Sequence, residues 1–288
     1  MPQLETTVGS TADGLVVLRS SPQAALLGVE DPYAEWFVTP QGERLAHLGR
    51  QVDPLFEPGN LARYLYTTAL LRQAAPQHSQ LILLGAGFDC RALWLAEINT
   101  GRCQVFELDT QEKLGQKQTL LEQHGVPLPA WDHLIPCDLR KDDPTALLAG
   151  AGLNFSRPAL VLAEGLVFYL PPDLTRQLLA TDRLLLAPGS RLVFDCWAEE
   201  RIARLNRRVE AHIGLRMFQP FPFPVSTPGL QGGLQQMGYQ MIEARSLTGI
   251  ASQYYQMDIE DETPSSWWIV QAEVPPGIGS MGSFGEND

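Results

Sequence analysis

Two glycines and a spaced series of carboxylates are the residues of this chain best suited to chemistry. Gly85-Ala86-Gly87-Phe88-Asp89 sets a G-x-G directly behind the apolar run Leu81-Ile82-Leu83-Leu84. The first glycine permits a tight turn, and the second lets the backbone come close to a ligand. A dinucleotide fingerprint puts a third glycine at position 90, where this chain has Cys90, and no G-K-[ST] of a phosphate loop follows. Asp109 falls 22 residues beyond Gly87, near the spacing of roughly 20 at which a carboxylate grips ribose hydroxyls. Glu107, two positions earlier, is a second candidate for that contact. Asp138 is placed either to accept from an adenine amine or to cap the helical turn after it. Glu164 sits in the apolar segment Ala163-Glu164-Gly165-Leu166-Val167-Phe168-Tyr169-Leu170. An unpaired buried charge is costly, so Glu164 requires a cation: the ammonium of an amino-acid-like ligand, or an internal arginine.

These residues need a frame that collects them. Leu81–Leu84, Gln104–Phe106, Leu134–Cys137, Ala159–Ala163 and Arg191–Phe194 read as short buried strands alternating with helices, the pattern of a parallel sheet covered on both faces. Asp109, Asp138, Glu164 and Asp195 follow four of them, and the glycine turn follows the other. Ligands of open α/β sheets bind outside the carboxyl ends of the strands, so one rim gathers the glycines and the acids. A helix is expected from Asp89 to about Glu97, and a polar helix carrying Lys113, Lys117 and Glu122. The first 80 residues read as mainly helical, with Leu61, Leu65, Thr68, Ala69 and Arg72 on one side of a segment ending at Pro76 and Arg63 on another. Residues 199–216 read as an amphipathic helix bearing Arg201, Arg204, Arg207 and Arg208, followed by a Pro/aromatic loop to Pro228. A helix near 228–237 and strands near 239–242 and 267–270 complete the pattern. The expected organisation is one domain over 1–274: a helical extension (1–79), a ligand-binding core (80–198), a lid insertion (199–228) and the rest of the sheet (229–274). A Gly/Pro/Ser-rich tail over 275–288 reads as disordered.

Bulk properties narrow the partners. The 288 residues carry a formal net charge of -12, which repels phosphate backbones and anionic headgroups, so nucleic acid and membrane surfaces are not expected partners. Cys90, Cys103, Cys137 and Cys196 form no C-x-x-C pair and no Cys/His cluster of zinc spacing, so buried thiols and no metal site are expected. No signal peptide or spanning stretch is read, so the expected location is cytoplasmic.

Read together, Leu84-Gly85-Ala86-Gly87-Phe88-Asp89-Cys90-Arg91, Val105-Phe106-Glu107-Leu108-Asp109 with Lys117, Asp138-Leu139-Arg140, and Glu164 to Pro172 resemble the leucine carboxyl methyltransferase family and its bacterial relatives. Asp31-Pro32-Tyr33-Ala34 resembles the amino-terminal motif of the bacterial members. The similarity runs from about residue 28 to 200. It implies a Rossmann-like class I methyltransferase fold, with a mostly parallel seven-stranded sheet, an N-terminal helical extension and a lid. It also implies S-adenosyl-L-methionine as cofactor: Gly85 and Gly87 at its methionine part, Asp109 at the ribose, Asp138 and Leu139 at the adenine, and Glu164 near the methionine moiety. The family's basic residue for the cofactor carboxylate corresponds to Arg63, whose guanidinium can make two parallel hydrogen bonds. Two departures stand out. Cys90 replaces a usual threonine, which removes a hydroxyl from the loop, and Leu93-Trp94-Leu95 replaces an aromatic-Arg-Leu run.

The implied reaction is methyl transfer to a carboxylate-bearing acceptor, a small molecule or a protein terminus. A carboxylate is already ionised at neutral pH and needs no base, only alignment. His47, His78, His124, His133 and His212 lie outside the strand-end motifs, consistent with that reading. The arginines of 201–208 either attract an acceptor carboxylate or form a solvated face. The rivals are a hydroxyl-directed O-methyltransferase, which requires a base, a non-catalytic cofactor-binding module, and an NAD-dependent dehydrogenase disfavoured by Cys90. Catalytic residues and oligomeric state are not legible at this level.

Overall fold

In the computed structural model, residues 11–182, 184–259, 262 and 265–276 are described. Four helices come first: α1 (Thr11–Arg19), α2 (Pro22–Leu26), α3 (Pro40–Val52) and α4 (Phe56–Ala74). The alternating core then runs β1 (Gln80–Leu84), α5 (Arg91–Trp94), β2 (Gln104–Asp109), α6 (Gln111–Gln123), β3 (Asp132–Pro136), α7 (Pro144–Gly150), β4 (Leu160–Ala163), α8 (Pro172–Leu179) and β5 (Arg191–Trp197). It closes with α9 (Glu199–Ile213), α10 (Thr227–Gln236), β6 (Gln240–Ser246), α11 (Leu247–Tyr255) and β7 (Trp267–Glu273).

The seven strands form one sheet in the order β3-β2-β1-β4-β5-β7-β6. β1 to β5 run parallel, and β7 enters antiparallel between β5 and β6. Strands buried on both faces need unbroken apolar side chains. Accordingly, four consecutive leucine and isoleucine residues fill β1, and Leu160-Val161-Leu162-Ala163 fills β4, all buried. The order reverses between β1 and β4, which opens a crevice at their carboxyl ends. Local signals set the helix starts: Thr39 accepts from Gly42 N–H ahead of Pro40, Thr110 from Lys113 N–H, and Ser226 from Gly229 N–H. Gly214, at φ +72°, ends α9 in the left-handed conformation. Among the described residues no helix is long and apolar enough to cross a membrane.

Several sequence expectations change. The helix expected to Glu97 stops at Trp94, because Leu95 is extended and the Asn99 side chain takes the Leu93 carbonyl at 2.7 Å. The side of α4 read as Leu61, Leu65, Thr68, Ala69 and Arg72 is buried only in part: Leu61 and Thr68 are buried, Ala69 and Arg72 are exposed, and Arg63, Tyr64, Thr67 and Leu71 are buried as well. This helix is enclosed on several sides, so no single stripe marks its contacts. Asp195 lies inside β5 rather than beyond it, since the ladder with β7 continues to Trp197 opposite Trp267. The Pro/aromatic loop is packed down: Phe221 stacks on Phe194 at 5.4 Å, and a Cβ on Gly233 would lie 2.4 Å from the Phe223 ring. The tail expected over 275–288 lies outside the described residues from 277 onward.

Two glycines test this packing. A Cβ on Gly59 in α4 would lie 2.6 Å from the ring of fully buried Trp267, whereas one on Gly232 in α10 meets nothing within 4 Å. Gly59→Ala is expected to cost about 1–3 kcal/mol in urea unfolding. Gly232→Ala is expected to gain up to about 1 kcal/mol, and equal effects would contradict the fit of α4 against β7.

Candidate functional site

The carboxyl edge of the sheet opens into a cavity of about 350 Å³. Its floor is the glycine turn, the end of β2, the turn Cys137–Arg140 after β3, and Glu164–Leu166 after β4. Gly85 and Gly87 have φ of +68° and +52°, where a side chain is strained. A Cβ on Gly85 would also press Leu166 at 3.0 Å, and one on Gly87 would press Ala12 of α1 at 3.3 Å. The turn is tied to β2: Gly85 and Ala86 N–H donate to the Leu108 carbonyl, and Gly87 N–H donates to Asp109 Oδ2 at 2.8 Å.

Beside the turn lies a buried ionic cluster. Arg63 of α4 donates from Nε to Glu164 Oε1 at 3.2 Å and from Nη1 to Asp195 Oδ2 at 3.0 Å. Arg91, at the start of α5, donates from Nη2 to Glu164 Oε2 at 2.8 Å and to Asp89 Oδ2 at 2.5 Å. Thr67 Oγ1 donates to Glu164 Oε2, while Gly165 N–H and the Trp267 indole donate to Asp195. Gly165 makes this possible, since a Cβ there would lie 3.0 Å from Arg63 Nη2. Burial alone would raise the Glu164 carboxyl, but Arg91 and Arg63 outweigh it and hold it below its usual range. Burial would likewise raise Asp89, yet Arg91 dominates and brings its pKa to about 2. Three carboxylates face two guanidiniums here, which leaves one negative charge in excess.

Seven of the residues singled out in the sequence line this one cavity: Arg63, Gly85, Gly87, Asp109, Asp138, Leu139 and Glu164. Asp109 accepts from Gly87 and from Thr110 N–H, leaving lone pairs for a further donor. Asp138 accepts from Arg140 N–H at 3.1 Å and pairs with Lys141 at 2.7 Å, and the Lys141 hydrogen bond is what chiefly lowers its pKa. The internal-arginine alternative for Glu164 is the one realised. Glu107 is the exception. It is fully buried and does not line the cavity. It lies two positions inside the end of β2, enclosed beneath the turn, where it accepts from Lys117. Lys117 also donates to the Asp89 carbonyl; burial would lower its pKa, but Glu107 outweighs that and keeps it protonated. Cys90, too, lies away from the site, buried with Phe37, Phe88 and Leu121.

The sequence reading missed the roof. α1 covers the glycine turn through Ala12, Gly14 and Leu15, and Arg19 ties it down by donating to Asp31 at 2.6 Å and to the Phe88 carbonyl at 2.9 Å. Arg201 is neither solvated nor part of a basic face. It is wholly buried, pairs with Asp53 at 2.5 Å, and lies 5.1 and 4.8 Å from the Trp197 and Trp267 rings. Arg204 and Arg208 pair with Glu262. The signal for Arg201 was its spacing, four and eight positions before Leu205 and Val209, which share the buried face of α9. Among the described residues, no histidine lines the cavity.

The leucine carboxyl methyltransferase profile matches residues 16–182. A Mycobacterium marinum protein named "Putative S-adenosyl-L-methionine-dependent methyltransferase" is 33% identical over 205 residues, covering 69% of this chain and 62% of its own length. A protein of the same name from Mycobacterium bovis is 30% identical over 229 residues, 73% of this chain and 72% of its own. The matching region thus spans less than two thirds of the first of these relatives. In fold, the chain is similar to a Thermobifida fusca crystal structure titled a "putative methyltransferase", with a TM-score of 0.63 and 17% identity over 95% of this chain and 98% of that one. The architecture is the Rossmann-like class I methyltransferase fold.

The Arg91 pair makes a pH-dependent contribution of defined sign. Asp89 is depressed in the folded chain, so its contribution is present above its ordinary pKa of 3.8 and is lost as pH falls through about 2. Asp89→Asn is expected to cost about 2 kcal/mol at pH 7 by urea unfolding, with the difference shrinking between about pH 4 and pH 2. A difference independent of pH would contradict the pairing.

Proposed function

This chain belongs to the leucine carboxyl methyltransferase family, and we propose that its cavity binds S-adenosyl-L-methionine for methyl transfer to a carboxylate oxygen. The cradle fits such a ligand. Gly85 and Gly87 bring the backbone to the cavity in a left-handed turn that a side chain would strain, and Asp109 keeps acceptor capacity toward the cavity for ribose hydroxyls. Leu139 offers an apolar surface for the adenine, with Asp138 beside it. Arg63 would hold the ligand carboxylate, and the excess negative charge of the surrounding cluster suits the ligand's cationic groups. When bound, the cofactor supplies a sulfonium methyl: the acceptor oxygen forms the new O–C bond while the S–C bond breaks with its pair to sulfur.

The observation that carries the choice of acceptor is the state of the acids. A hydroxyl acceptor needs a group to take its proton. Among the described residues lining the cavity, Glu164 and Asp89 are held ionised below their usual range by arginines, Asp138 is lowered chiefly by Lys141, Asp53 is paired with Arg201, Asp109 accepts from two N–H groups, and there is no histidine. Such depressed carboxylates are poor bases at neutral pH. An acceptor that arrives as an anion, as a carboxylate does near neutrality, needs none. The chain's own task is then to exclude water and to align, and the α1 and α9 walls serve that end.

S-Adenosylhomocysteine is expected to bind in calorimetric titration, and Asp109→Ala to weaken it about 10- to 100-fold, as for a lost charge-assisted contact. Methyl transfer to an acid is expected to vary little between pH 6 and 8. A rate rising tenfold per pH unit across that window would instead reveal a base and favour a hydroxyl acceptor.

A further inference from the structure

The sheet order separates the cavity into two arms. The reversal between β1 and β4 puts β2 and β3 on one side of the crevice and β5 and β7 on the other. At about 4.8 Å per strand, the edge from β3 to β5 spans about 19 Å. The β3 side carries the polar groups Asp109, Asp138 and Arg140. The β5 side is walled by Leu48 and Val52 of α3, Leu205 and Val209 of α9, and the rings of Phe168 and Trp197, stacked at 3.8 Å.

The few polar side chains of this second arm each already have a protein partner. Asp53 accepts from Arg201 and from Leu55 N–H at 3.1 Å. Asn60 donates its amide to the Phe56 carbonyl at 2.6 Å. A polypeptide terminus entering the arm would bury an N–H and a C=O at each residue, each requiring a partner, and an unmade bond costs about 1–3 kcal/mol. A hydrocarbon body makes no such demand and gains from the apolar wall.

Resting on the methyl-transfer reading above, we infer that the acceptor is a small monocarboxylic acid with an alkyl or aromatic body. That body lies in the β5 arm against α3 and α9, and its carboxylate faces the crevice between β1 and β4. The carboxylate oxygen gains the methyl carbon, the bond to sulfur is lost with its electron pair, and no proton is exchanged. A methyl ester and S-adenosylhomocysteine result.

The test titrates 3-phenylpropionate, octanoate, a hexapeptide with a free carboxyl terminus, and 3-phenylpropanol into the full chain saturated with S-adenosylhomocysteine. The two acids are expected to bind at least about tenfold more tightly than the peptide, the margin of burying one apolar side chain's worth of surface. Leu48, half-buried in the wall, gives the variant Leu48→Asp, expected to weaken acid binding about tenfold with S-adenosylhomocysteine affinity unchanged. The wild-type comparison stands whether or not that variant folds. Peptide binding as tight as that of the acids, or no acid binding to the loaded protein, overturns the inference and leaves cofactor binding intact. Failure of S-adenosylhomocysteine itself to bind overturns the methyl-transfer reading and the inference with it. In a turnover arm with S-adenosyl-L-methionine replacing S-adenosylhomocysteine, methyl ether from the alcohol with no ester from the acids overturns the carboxylate acceptor and hence the inference.

Discussion

One guanidinium joins the helical layer to the sheet. Arg63 leaves α4 and reaches a carboxylate beyond β4 that borders the cavity and another, inside β5, removed from water. Truncating one member of such a pair would strand its partner, a loss of roughly 3–5 kcal/mol in comparable buried pairs. The surroundings are fitted to that constraint. Gly165 vacates the space the guanidinium needs, Thr67 on the next turn of α4 donates to Glu164, and Trp267 of β7 donates to Asp195. Arg91 joins the same cluster from the far side of the glycine turn, so the position of the turn and that of α4 are coupled through Glu164. A cluster with an odd number of charges stays incompletely neutralised until something positive arrives, which gives the cavity a ligand preference as well as a shape.

The sheet was legible because burial on both faces leaves a plain mark: runs such as Leu81–Leu84 and Leu160–Ala163 admit no polar residue. Asp109, too, was legible from its spacing behind a G-x-G turn. Arg63 was not legible from its own helix, because α4 is buried on several sides and shows no stripe to orient it; only the surrounding motifs pointed to it. Glu107 illustrates what alternation along a strand can decide and what it leaves open. Its distance from Asp109 suggested a shared face, but the strand ends at Asp109, whose carboxylate accepts from Gly87 N–H at the cavity, while Glu107 stays beneath with Lys117. Arg201 was misread because an arginine on an otherwise charged helix looks solvated. Its spacing with Leu205 and Val209 marked the buried face, and Asp53, Trp197 and Trp267 supply the partners there.

The acceptor arm was invisible in the sequence for a related reason. Its wall combines α3, the segment after β4, the end of β5 and α9, elements separated by up to about 160 positions, of which only the segment after β4 belongs to a sequence motif. Each contributes ordinary apolar residues whose shared direction arises only from the fold. The polar half of the cavity, by contrast, is assembled from strand ends that recur in chain order, which is why its acids could be listed together before their geometry was known.

A crystal structure grown with S-adenosylhomocysteine tests the account most directly. The expected density lies along the carboxyl edge, with the ribose on Asp109, the adenine beside Leu139, the sulfur at the crevice between β1 and β4, and the β5 arm left open. Density outside this cavity, or a nucleoside occupying the β5 arm, would contradict it.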